Sequence, residues 1–554
     1  MSRAQVVQDR VRAAYEQIDA VDRPEVWITL RERDDVLAEA ARTDPALPLA
    51  GLVFAVKDNI DVAGLPTTAG APTYCYRPGA DATVVARLRA AGALVIGKTN
   101  LDQFATGLVG TRSPYGAVRN AWDPSRISGG SSSGSAVVVA LGIVDFALGT
   151  DTAGSGRVPA ALNGVIGIKP TRGLLPITGV VPACYTLDCV TLFARDIATA
   201  RAAAEMAAGP DPRDPLSRAG TPSAAAPARP RIAIPTVEHL EGLAEGWREA
   251  FARAAARFED IGAEVVEVDI SPLLEAATLL YDGAFVAERY AAVGAHLEEH
   301  LEEIGSDLDA TVASIILSAK YRTAADWAAD TARLAALAGA GREALGDYDA
   351  LLTPTTTWHP TLAEVAADPV ATNARMGRFT NFANLLDLAS LAFPAGFAGG
   401  LPFGVMLTGP AFSDGALAEL AERFANGPLD IFVAGAHLTG QPLNRQLVLA
   451  GGTLVGPLAT APVYRLHALD TVPPKPGLVR VPDGGASILG EVWRLPAAGF
   501  GSFVAALPAP MAIGKVELDD GRSVSGFLVE PAALDAAHDI TGFGGWRSYL
   551  ASLR

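Results

Sequence analysis

Ser155 stands in Gly149-Thr150-Asp151-Thr152-Ala153-Gly154-Ser155-Gly156-Arg157, and Ser131 stands 24 residues earlier in Ile127-Ser128-Gly129-Gly130-Ser131-Ser132-Ser133-Gly134-Ser135. A serine hydroxyl is a weak nucleophile and attacks only when a base within hydrogen-bond reach takes its proton. No histidine occurs before residue 239, so the base available to this part of the chain is a lysine. Lys57, which closes the apolar run Leu52–Val56, is well placed for the task. Its amine must be neutral to accept a proton, which calls for burial away from carboxylates. Bringing a lysine from about 10.4 to near 7.5 costs roughly 4 kcal/mol, within what desolvation supplies. The small residues around Ser155 would let backbone N–H groups approach a developing oxyanion, usually the largest catalytic contribution.

These groups need a scaffold that brings distant segments together. Leu52–Val56 reads as a buried strand feeding the polar loop Lys57-Asp58-Asn59, and Ala82–Ala91 as a helix before a second strand, Ala93–Ile96. The run Ala136–Leu148, between the two serine loops, reads as helix then strand. Such alternation predicts an α/β layer architecture with a central sheet covered by helices. Residues 1–45 read as helical, with an apolar stripe of Val6, Val11, Tyr15 and Ile18. The Pro-, Gly- and Ala-rich stretch 208–230 reads as a surface linker, after which Arg231–Pro235 begins a new strand. From residue 430 onward, short alternating segments separated by Gly and Pro turns predict a smaller β-rich domain, 430–554, following a first domain of 1–427.

With 554 residues, half of them apolar, the chain is long enough for two or more cores. A net charge of -17 argues against a nucleic-acid surface. No apolar stretch is long enough to span a bilayer and no signal peptide is evident, so a cytoplasmic protein is expected. Cys75, Cys184 and Cys189 form no metal or disulfide pattern and are expected to be reduced core residues. Three short motifs mislead. Gly92–Thr99 fits the P-loop spelling, but Ala-Leu-Val-Ile inside it favours a strand over a phosphate cradle. His296-Leu-Glu-Glu-His300 has zinc-site spacing, yet its acidic surroundings read as a solvated helix face. Gly130-Ser-Ser-Ser-Gly134 fits a nucleophile elbow centred on Ser132, without a strong strand leading into it.

Taken in order, Lys57-Asp58-Asn59, Gly97-Lys98-Thr99-Asn100, Gly129–Gly134, Gly149–Arg157 and Gly167-Ile168-Lys169-Pro170-Thr171 resemble the amidase signature family. That resemblance implies Ser155 as nucleophile, Ser131 as bridging serine joined through a cis peptide, and Lys57 as base. It also implies an oxyanion hole along Thr152, Ala153 and Gly154. No cofactor or metal is implied.

Within the family the chain is most similar to the allophanate hydrolases. Tyr281 and Arg289 match the pair that holds the substrate carboxylate there, and Arg suits a small planar anion because its fork binds in two places. Gly107 is implied as a further backbone contact. The segments Gly435–Asn444, Lys475–Arg480 and Gly490–Trp493 resemble the C-terminal domain of that group, itself similar to the γ-glutamyl cyclotransferase fold. The resemblance links His437 to decarboxylation of the first product, although Gln441 and Arg445 depart from the commoner pattern. It further implies a homodimer, and a separate urea carboxylase as functional partner. Other family members act on malonamate, aryl amides or glutamine, and a catalytically silent scaffold is the alternative outside enzymology.

Overall fold

In the computed structural model, residues 3–220 and 225–554 are described. The apolar run after Leu52 forms the strand Val53–Lys57, buried at every position. Such strands, covered on both faces, belong to the middle of a layered sheet. That sheet has eleven strands: β1 Trp27–Leu30, β2 Val53–Lys57, β3 Leu94–Thr99, β4 Phe146–Asp151, β5 Ile166–Lys169, β6 Cys189–Ala194, β7 Arg231–Pro235, β8 Glu264–Val268, β9 Ala350–Pro354, β10 Leu388–Ala398 and β11 Leu401–Pro410. Their order across the sheet is β1-β3-β2-β4-β6-β5-β10-β11-β9-β7-β8. The sheet is mixed: β2 runs parallel to β3 and β4, and β7 parallel to β8 and β9, while the other pairs are antiparallel.

The parallel β2–β4 pair fixes the site. Val56 lies opposite Leu148, so Lys57 and the segment Thr150-Asp151 emerge side by side at the carboxyl ends of neighbouring strands. Ligands of open α/β sheets collect at this end of the strands. Between β2 and β4 comes the helix Ser133–Ala140, whose Ala136, Val137, Val138 and Val139 are all buried. A helix apolar on every side is an interior helix. It packs in one core with Val53 and Ala55 of β2 and with the N-terminal helix Arg3–Val21.

Several expectations need correction. The first 45 residues are not uniformly helical, because Trp-Ile-Thr-Leu at 27–30 forms an edge strand antiparallel to β3. Its aromatic and β-branched residues favour that conformation. The stripe of the first helix is carried by Val7, Val11, Ala14 and Tyr15, whereas Val6 is 51% exposed. The stretch 208–220 is bound down rather than free. Asp214 accepts from the Ile177 N–H at 2.9 Å, Asp211 takes the Thr83 hydroxyl, and Arg218 N–H reaches the Gly173 carbonyl at 2.8 Å. Proline and glycine announce turns without revealing which acidic side chains tie the turns down. Residues 221–224 lie outside the described residues. Cys75 is exposed, while Cys184 and Cys189 are buried, and all three are free thiols. The P-loop look-alike holds β3, as its apolar residues require.

The chain divides into two compact units, residues 1–422 and 423–554. The second contains a five-stranded mixed sheet and a three-stranded antiparallel sheet around a core that includes Ile431, Phe432, Tyr464, Val492 and Trp493. Among the described residues, no helix is long and apolar enough to cross a membrane.

The turn leaving β4 is held by a buried ion pair. Arg157 meets Asp151 through Nε at 2.9 Å and Nη2 at 2.8 Å, while the Gly156 N–H donates to the same carboxylate at 2.9 Å. Both side chains are fully buried. Arg157→Met would leave Asp151 as an uncompensated interior charge, so a loss of about 3–5 kcal/mol in unfolding free energy is expected. The urea midpoint reads this directly, and an unchanged midpoint would contradict it.

Candidate active site

Lys57 Nζ lies 2.7 Å from Ser131 Oγ and 2.8 Å from Thr150 Oγ1, and Asn59 Nδ2 reaches the same threonine oxygen at 3.2 Å. The ammonium position has no solvent exposure. Burial, the largest influence, lowers the pKa of Lys57 to about 7. Asp102, Asp151 and Asp188 pull it upward and Arg289 pushes it down. The expectation of a lysine remote from carboxylates is therefore wrong. Desolvation wins because each of these carboxylates is engaged elsewhere. Asp102 accepts the N–H groups of Val109, Gly110 and Arg112. Asp151 is neutralised by Arg157, which holds its carboxyl below the ordinary range against the effect of burial. Asp188 takes the Thr152 hydroxyl and the N–H groups of Ala183 and Cys184, and burial raises its pKa to about 6.

Ser131 follows a cis Gly130–Ser131 peptide. A Cβ on Gly130 would fall 2.0 Å from Asp102 Oδ2 and 2.6 Å from the Gly110 nitrogen, so no larger residue fits. Ser155 sits in the turn after β4, where its hydroxyl donates to the Gly107 carbonyl at 3.4 Å. No hydrogen bond joins it to Ser131 among the described residues, so the structure brings Lys57 and Ser131 together and leaves the second half of the relay unmade. Beside Ser155, the backbone N–H groups of Ala153, Gly154 and Ser155 itself meet no acceptor among the described residues. Gly154 has φ 147°, and a Cβ there would fall 2.3 Å from Thr380 Oγ1. Thr152 is anchored through its hydroxyl to Asp188.

Arg289 comes from the helix Ala287–Glu299 and is buried. Its Nη1 donates to Thr106 Oγ1 at 2.9 Å and to the Ala105 carbonyl at 3.3 Å, and Nη2 donates to the Tyr281 hydroxyl at 3.2 Å. The guanidinium also stands 5.1 Å from the Tyr281 ring centroid. Its Nε is buried without a partner. Glu288, the neighbour that could have paired with it, instead accepts from the N–H and hydroxyl of Thr186. A buried arginine bonded only to neutral oxygens is costly unless an anion completes it. The loop between Arg289 and Ser155 is fixed by Leu108 N–H on Asn373 Oδ1 at 2.7 Å and by Arg112 on the Thr106 carbonyl at 3.1 Å. Tyr281, Arg112, Asn373 and Asn381 also line a cavity of 690 Å³.

In the second unit, His437 lines a separate cavity of 540 Å³ together with Gln446, Lys475 and Phe503. Its Nε2 lies 2.8 Å from Gln446 Oε1, and its ring stacks on Phe527 with centroids 4.8 Å apart. Burial lowers the histidine pKa, and the nearby Lys475 acts in the same direction. The histidines at 296 and 300 serve another purpose. His296 bonds Thr73 and packs against Tyr74, and no group of metal-binding side chains occurs among the described residues.

Comparison with known proteins agrees with this geometry. The chain matches the amidase family over residues 9–418 and the allophanate hydrolase C-terminal domain over residues 429–551. The chain belongs to the amidase family and is an amidohydrolase with that second domain attached. The solved structure of Kluyveromyces lactis allophanate hydrolase is 42% identical, with a TM-score of 0.73, covering 100% of this chain and 97% of that one. Saccharomyces cerevisiae urea amidolyase is 43% identical over 95% of this chain, which spans only 31% of that protein's length. The amidase-type component of the Thermus thermophilus glutamyl-tRNA(Gln) amidotransferase is 37% identical over 76% of this chain and 92% of its own.

Thr150, Asp102 and Asp188 were not singled out from the sequence. Thr150 lies inside the Gly149–Arg157 motif, and Asp102 two residues past Gly97–Asn100, but their partners are remote in sequence. Thr150 gives Lys57 an acceptor that favours the charged amine. Thr150→Val should therefore lower the Lys57 pKa further and move the acid limb of the kcat/KM profile to lower pH. The plateau should fall roughly tenfold as the amine loses an anchor. A pH–rate profile with an unmoved acid limb would contradict the assignment.

Proposed function

We propose that this protein hydrolyses allophanate through a Ser155–Ser131–Lys57 relay and that its second unit aids loss of carbon dioxide from the first product. The observation carrying the reading is a neutral-leaning lysine bonded to one serine, beside a buried arginine that has no anion partner. The substrate carboxylate binds Arg289 and Tyr281, with the Gly107 backbone as a further contact. The Ser155 hydroxyl turns from the Gly107 carbonyl toward Ser131 and attacks the terminal amide carbon. Its proton passes through Ser131 to Lys57. The Ala153 and Gly154 N–H groups, with Thr152 as the start of the same turn, receive the oxyanion.

Collapse of the tetrahedral intermediate breaks the C–N bond, and Lys57, acting through Ser131, protonates the departing ammonia. Water activated by the same relay then releases N-carboxycarbamate from Ser155. In the second unit His437, neutral because it is buried, is positioned to hand a proton to nitrogen as a carboxylate leaves. The cycle ends in two ammonia and two carbon dioxide, with no cofactor. A separate urea carboxylase is the class of enzyme that would supply the substrate.

Product stoichiometry with allophanate tests the whole reading, using malonamate, glutamine and an aliphatic amide as competitors. Ser155→Ala should abolish ammonia release while malonate still binds, and retained turnover would refute the nucleophile assignment. Arg289→Ala should raise KM for allophanate by about two orders of magnitude, the loss of a charge-assisted pair, and hardly affect an uncharged amide. Equal losses on both would argue against carboxylate recognition.

A further inference from the structure

The 690 Å³ cavity beside Tyr281 carries a charge pattern at odds with the rest of the molecule. In a chain of net charge -17, its lining includes Arg112, Arg322, Arg375 and Arg378 against only two acids, Asp282 and Asp326. The arginines are held by neutral groups. Arg112 donates to the Thr106 and Pro369 carbonyls, Arg322 to the Asp282 carbonyl, Arg375 to the Gly242 carbonyl and Arg378 to the Glu241 carbonyl. Arg375 also lies 4.4 Å from the Trp358 ring centroid. None of the four is in an ion pair within 4 Å among the described residues. Of the two acids, Asp326 is engaged at a helix start, accepting the N–H and hydroxyl of Thr323.

A carbonyl orients a guanidinium without cancelling its charge. Four such cations on a concave wall of low polarizability sum to a positive potential, which raises the local concentration and capture rate of anions. The cavity also abuts the carboxylate receptor. Tyr281 lines it and holds Arg289, Arg112 grips Thr106, and Thr106 in turn accepts from Arg289.

We infer that this cavity is a cationic antechamber that captures small organic anions and passes them to Arg289, with Arg375 and Arg378 acting through charge rather than contact chemistry. The inference rests on the reading above that the substrate carries a carboxylate. In the full-length protein, the double variants Arg375→Gln/Arg378→Gln and Arg375→Lys/Arg378→Lys are compared with the parent. Two quantities are read between low and high potassium chloride: kcat/KM for allophanate, and the rate at which an uncharged fluorophosphonate labels Ser155.

The parent's kcat/KM should fall about fivefold with salt, the lower part of the range for electrostatic capture. The glutamine pair should start about fivefold lower and lose most of that slope. The lysine pair should stay near the parent, and labelling by the uncharged probe should be alike in all three. A glutamine pair that keeps the parent's slope, a lysine pair that falls equally, or labelling that falls in parallel overturns the antechamber. The reading beneath it fails separately, if the parent neither turns over allophanate nor is protected from labelling by malonate.

Discussion

Removing an amine from water favours its neutral form, and here that single cost shapes a large part of the fold. Lys57 is placed at the end of a wholly buried strand, with only two hydroxyls and a more distant carbonyl as partners. An ion pair to a nearby carboxylate would restore its charge and end its use as a base. Three aspartates are close enough to do so, and each is occupied by other donors. The same aspartates organise the loops that a serine hydrolase needs. Asp102 gathers the 109–112 backbone, Asp151 with Arg157 turns the chain that carries Ser155, and Asp188 fixes Thr152. Neutralising the carboxylates and shaping the loops are thus one arrangement.

Arg289 shows the complementary situation. Its charge is retained, its partners are neutral oxygens, and one of its nitrogens is left without any acceptor. A base that must lose its charge and a receptor that must keep its own stand on opposite sides of the Gly107 loop. The sheet makes this possible because β2 and β4 are parallel neighbours, whereas Tyr281 and Arg289 arrive from helices that follow β8.

Much of this was legible in the sequence. The strand before Lys57, the helix and strand between the two serine loops, the strand at Arg231–Pro235 and the β-rich character of the second unit follow from short-range pattern, which is where periodicity is informative. The Val6 stripe failed because a helix start leaves the phase of its apolar face open by one residue, and Val7 took the core. The strand at Trp27 was hidden between two helices by its shortness. What no local pattern could reveal were pairings across the chain, such as Asp102 with the 109–112 backbone, Leu108 with Asn373, and four arginines drawn from residues 112 to 378 into one cavity. The Ser155 bond to Gly107 belongs to the same class, since motif spacing places two loops near each other without fixing where a hydroxyl points.

The central claim is that an uncharged Lys57 removes the proton that makes Ser155 reactive. The most direct measurement is the rate at which a fluorophosphonate labels Ser155 from pH 5 to pH 9, in the parent and in Lys57→Met. The protonated amine cannot accept, so the parent's rate should be low at acid pH and rise through one ionisation with a midpoint at about 7. Lys57→Met should be slow and flat across the range. A parent rate indifferent to pH, or a methionine variant labelled as fast as the parent, would contradict the account.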